Sequence, residues 1–157
     1  MAELPAEVEI RQSREKGRLL VAKSDIVPET VIFEDAGLSS PECDERPFPD
    51  EIVFSVVQQV LDQADLCRHL TFSLEQLSFP TKSPVSKYKD QEWSKALAQV
   101  KRNAFAHGKR LILFPQVSTL NHSCWPNAVV QTEYPRARVI AIAPIAKGRH
   151  IMSIHAC

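Results

Sequence analysis

The segment Asn121-His122-Ser123-Cys124-Trp125-Pro126-Asn127 sets two amides, an imidazole, a hydroxyl and a thiol around one proline. Core packing does not ask for that mixture. It suits a ligand site, because the amides both donate and accept and an imidazole can do either. His122 and Cys124, taken with His155 and Cys157, also form two His-x-Cys pairs that could supply four zinc ligands, although the one-residue gap is tighter than that of common zinc knuckles. A hydrolase built on Ser123 or Cys124 finds less support, since no Gly-x-Ser-x-Gly elbow surrounds either nucleophile.

Chemistry of this kind needs a rigid turn. Pro126 fixes its own φ and disfavours a helical Trp125, so a helix does not run through the segment. Apolar residues 111–114 precede it and Ala128-Val129-Val130 follow it, which predicts a shaped loop between two strands. Further β-like runs cover 8–10, 18–22, 31–33, 128–132, 138–142 and 150–154. Between them, Pro41, Pro47 and Pro49 predict a surface loop over 38–50. Ile52, Val53, Val56, Val57, Val60 and Leu61 then recur at helical spacing behind Asp50 as a candidate N-cap. Residues 66–77 could hold another helical turn or two, and Pro80 and Pro84 predict a loop with Lys82 and Lys87 exposed. Trp93, Leu97 and Val100 predict a second amphipathic helix from Asp90 to Phe105, with Gly108 as its stop. The order is β region, helical insert, β region, which implies an α+β fold, mainly β.

A chain of 157 residues with 44% hydrophobic content can bury one core, so a single domain is expected over 1–157, with the insert at about 44–106. Lys plus Arg and Asp plus Glu both number 19, so no net field draws the protein to nucleic acid or to an anionic membrane. Residues 1–5 carry no basic and apolar leader, and no apolar run reaches the length of a membrane span. A soluble intracellular protein of nucleus, cytoplasm or both is expected. The four cysteines, at 43, 67, 124 and 157, are widely spaced and read as free thiols.

The segment 121–127, with Ser118-Thr119-Leu120 before it and Ile145-Ala146-Lys147-Gly148 after it, resembles the cofactor-binding core of SET-domain protein-lysine methyltransferases. Within that superfamily the resemblance is closest to the SET and MYND group. Lys16-Gly17-Arg18, Asn103-Ala104-Phe105 and residues 138–145 fall in the matching order. The resemblance implies a SET-like fold of short strands, of the β-clip or pseudoknot type, carrying a helical insert. It also implies transfer of a methyl group from S-adenosyl-L-methionine to a lysine of a protein, a histone tail or another substrate. Such a transfer is an in-line displacement, so positioning outweighs acid-base power, and an apolar channel would lower the lysine pKa from about 10.4.

By the same resemblance, Lys16, Gly17 and Arg18 form the first cofactor loop and Asn103 adds a polar contact. Asn121 and His122 would hold the amino-acid and adenine portions. The chain departs from the family pattern in three places. Leu19 stands at the second glycine of a usual Gly-x-Gly, where a close backbone approach would meet a branched side chain. His155 stands at the catalytic tyrosine, with a shorter ring that can carry a proton near neutral pH. Cys124 has no post-SET cysteines to share zinc with, and no MYND array is present, so no metal is expected. These departures leave two further alternatives open: a non-catalytic SET-like interaction module, and a zinc-binding domain.

Overall fold

The computed structural model describes residues 4–15, 17–72 and 81–154. In chain order the elements begin with β1 (Val8–Ser13), β2 (Gly17–Ala22), β3 (Val31–Ala36) and β4 (Leu38–Ser39). Among the described residues three helices follow: α1 (Asp50–Asp62), α2 (Ala64–Cys67) and α3 (Asp90–Asn103). The chain then returns to strands with β5 (Phe105–His107), β6 (Arg110–Leu113), β7 (Asn121–His122), β8 (Ala128–Glu133), β9 (Arg136–Ala141) and β10 (Met152–Ser153). A 3-10 turn at Val117–Thr119 leads into β7. This is the expected mixed α+β fold of short strands with a helical insert.

The chain divides into two compact units, one formed by Met1–Ala36 with Gln116–Cys157 and the other by Gly37–Pro115. In the first, β1 and β2 form an antiparallel hairpin, and a five-stranded sheet runs β3-β9-β8-β10-β7. Period-two alternation explains β9, where Arg136 and Arg138 are exposed while Ala137 and Val139 are buried. β2 instead buries Leu19, Leu20, Val21 and Ala22 in succession, which marks a strand covered on both faces. β10 is inserted between β7 and β8 and is parallel to both.

The second unit packs α1 against both α3 and the small sheet β4-β6-β5. Its core gathers Val56, Val57, Val60, Trp93, Leu97 and Val100, which are the two apolar stripes read from the sequence. Phe54 meets Trp93 edge-on, with ring centroids 5.2 Å apart. No helix among the described residues is long and apolar enough to cross a membrane.

Several boundaries differ from the sequence expectations. Asp50 is the first helical residue and Pro49 the cap, so Asp50 and Glu51 place their charges in the first turn, where the helix dipole favours them. The second long helix ends at Asn103, and Phe105 to His107 join a strand because Phe105 pairs with Ile112. Gly108 therefore does not stop a helix. At φ +57° it begins the two-residue turn between His107 and Arg110, a conformation that glycine adopts without Cβ strain. Leu38 and Ser39, expected in a loop, pair with Leu113 and Ile112 of β6. The strand expected over 150–154 contracts to Met152–Ser153. Part of the helical turns expected over 66–77 is present as α2, and residues 73–77 lie outside the described residues.

Candidate functional site

The 121–127 segment is a strand end followed by a turn, tied at both ends to β10. Asn121 and His122 pair in parallel with Met152 and Ser153. The Ser123 N–H donates to the Ser153 carbonyl at 3.1 Å, and the Trp125 N–H donates to the Ser123 hydroxyl at 3.1 Å, closing a small turn. At the far end Asn127 acts as a clamp. Its Nδ2 donates to the His150 carbonyl at 2.8 Å, its Oδ1 accepts from the Met152 N–H at 2.9 Å, and its backbone N–H donates to the Met152 carbonyl at 3.2 Å. A short amide can mimic the ladder bonds that an interrupted strand lacks. His122, Cys124 and Trp125 are left exposed, and the His122 Nε2 lies 3.9 Å from the Cys124 Sγ.

The Gly17-Arg18 segment meets this loop. Asn121 Nδ2 donates to the Arg18 carbonyl at 2.9 Å, joining residues 103 apart in sequence. Arg18 Nη2 donates to the Ser118 carbonyl at 3.0 Å. Its Nε is buried with no hydrogen-bond partner among the described residues, and burial lowers the guanidinium pKa from its ordinary value. Gly17 has φ +67°, and a Cβ there would meet nothing within 4 Å. The hairpin turn requires that glycine for its backbone angle, and the space beside it is open. Leu19 is buried at 7% exposure, on the opposite strand face from Arg18, so its branched side chain packs inward rather than beside Arg18.

Asp35 is a positioning residue that sequence reasoning did not single out. Its Oδ2 accepts from the Gln116 N–H at 2.7 Å and from the Val117 N–H at 2.9 Å, which caps the 3-10 turn leading to Asn121. Burial pushes its carboxyl up to about 6, against the downward pull of the Val117 and Gln116 N–H groups. Its Oδ1 has no hydrogen-bond partner among the described residues. The signal available was an acid at an inward position of the apolar strand 31–36.

The expected site residues thus fall into three groups. Gly17, Arg18, Asn121 and His122 come together in the sheet unit. Asn103 belongs to the helical unit, where its Nδ2 donates to the carbonyls of Gln99 and Thr71, both at 2.8 Å, tying the end of α3 to the chain after α2. Lys16 and His155 lie outside the described residues, as does Cys157. Among the described residues no group of three or more His, Cys, Asp or Glu could hold a metal ion, and the His122–Cys124 pair supplies only two donors. Cys43, Cys67 and Cys124 form no disulfide among the described residues.

The donor set at Arg18 and Asn121 fits an organic ligand with a carboxylate or an amine better than it fits a metal. A guanidinium with a spare N–H and an amide with a spare oxygen are hard, directional partners. No curated protein matches this chain. Among solved structures, a protein of Plasmodium falciparum described as a candidate histone methyltransferase superposes with a TM-score of 0.51 at 14% identity, covering 97% of this chain and 95% of the other. That likeness is one of fold. The SET-domain family model matches residues 17–153, a span that takes in β2 from Gly17, the helical insert, the 121–127 turn and β10, and the chain belongs to the SET-domain family.

Proposed function

We propose that this protein is an S-adenosylmethionine-dependent protein-lysine methyltransferase of the SET and MYND type. The observation that carries the proposal is the hydrogen bond from Asn121 to the Arg18 carbonyl, which joins two sequence-distant segments with complementary donors and acceptors beside an open glycine turn. Bound S-adenosylmethionine would supply an electrophilic methyl on a sulfonium. The Arg18 guanidinium would face its carboxylate, and the Asn121 Oδ1, free among the described residues, would accept from its amino group. Asp35 and Asn127 act one step back. They fix the turn before Asn121 and the strand beside it, so that the amide is oriented before ligand arrives.

Titration calorimetry with S-adenosylmethionine tests the cofactor. Saturable binding that falls at least about tenfold in Asn121→Ala is expected, because a hydrogen bond to a charged group contributes about 1.5–3 kcal/mol. A folded protein that binds no cofactor would remove the enzyme and leave the fold. A radiolabelled methyl assay on histones and on a protein lysate then decides catalysis. Gain of activity in His155→Tyr would identify position 155 as the limiting group.

A further inference from the structure

We propose that the sheet unit carries a docking site for a peptide segment in which a lysine or arginine is flanked by apolar residues. A concavity of about 360 Å³ lies at the entry to β3, lined among others by Glu7, Asp25, Ile26, Val27, Thr30 and Val31. Among the described residues no basic side chain lines it. Asp25 Oδ1 accepts from the Lys147 N–H at 2.7 Å, which fixes that carboxylate in place. Its Oδ2 and the Glu7 carboxylate have no partner among the described residues, so two negative charges border the concavity without a protein cation.

The second observation is the surface that leads away from it. Val31, which lines the concavity, is 47% exposed and stands opposite Ile140, which stands opposite Val129 at 42% exposure. Directly opposed residues in antiparallel strands project from the same face, so these three side chains form one apolar row across β3, β9 and β8. Ile142, two residues beyond Ile140, is 51% exposed. The next rows on that face change character: Arg138 and Arg136 share the single carboxylate of Glu34, so a further cation is not favoured at that end. An occupant with an aliphatic body and one free positive charge satisfies both the row and the concavity. Lys and Arg have that form, with apolar stems under charged heads.

The use of the site as a holder of protein substrate rests on the methyltransferase proposal, but the binding itself does not. Fluorescence anisotropy without cofactor therefore separates the two. The probes are a labelled octapeptide with one lysine flanked by valines, and the same peptide with norleucine replacing the lysine. The lysine peptide should bind saturably, and the norleucine peptide about tenfold more weakly, the factor expected for a charge-assisted contact. The Glu7→Gln/Asp25→Asn variant should lose the same factor for the lysine peptide alone; asparagine still accepts from Lys147. Glu7→Gln by itself serves if the double variant does not fold. Glu133→Gln, on the distant row of the same face, should leave binding unchanged. No saturable binding at millimolar peptide, equal binding of both peptides, or indifference to the carboxylate variants would overturn the proposal.

Discussion

Trp93 in the helical unit and Asp35 in the sheet unit are both essentially inaccessible to solvent, yet they organise their surroundings in opposite ways. Trp93 works through shape. It fills the space between α1 and α3, meets Phe54 and Tyr88, and its Nε1 has no partner among the described residues. Asp35 works through direction. It holds two consecutive N–H groups of a turn 81 and 82 residues away and tolerates the cost of burying a carboxyl. The core of the helical unit is assembled from local apolar stripes, with amides such as Asn103 tying the helix ends. The sheet unit brings together segments that are distant in sequence, and polar side chains set their register.

If that contrast is right, removing bulk should harm the helical unit most. Trp93→Ala should destabilise by about 3–5 kcal/mol in denaturant titration, by lost transfer energy and an unfilled cavity. Trp93→Phe should cost much less, because the indole N–H makes no bond. Equal losses in the two variants would break the distinction.

In the sheet unit the decisive variable is pH. The folded Asp35 pKa, about 6, exceeds its usual 3.8, so between those values the native state holds more protons than the unfolded one. The contribution of Asp35 is therefore fully present below about pH 4, and stability falls as pH rises through about 6, by about 3 kcal/mol in all. Denaturation midpoints between pH 4 and 7.5 should show that slope, and Asp35→Asn, which keeps an acceptor for Gln116 and Val117, should flatten it. A smaller effect sharpens the same point at Asn127. Its replacement by Ala should cost about 2 kcal/mol, since the His150 carbonyl and the Met152 N–H lose their partner. If Asn127→Ala costs under about 0.5 kcal/mol, the typical value for a surface change, the amide is not a clamp.

Legibility followed the range of the interactions. The stripes at 52–61 and 93–100 forecast α1 and α3 because helical burial is decided by neighbours three and four residues apart. The strand edges were less legible. Phe105 to His107 continue an apparent helical segment, and only pairing with 110–112 turns them into β5. Asn103 shows the same limit at the site, because its amide engages Thr71, 32 residues away, as well as Gln99 one helical turn back.

By itself the sequence determined the family, through the ordered residues of 121–127 and their companions, and the two helices of the insert. It also determined the rigidity of the loop, because Pro126 limits the backbone wherever it stands. The tertiary structure alone decided which of the candidate residues meet. Hydrogen bonds between Asn121 and Arg18, between Asn127 and Met152, and between Asp35 and Val117 join atoms whose separation along the chain says nothing about their distance. Their partners are backbone groups, which every residue carries, so no side-chain pattern could have announced them.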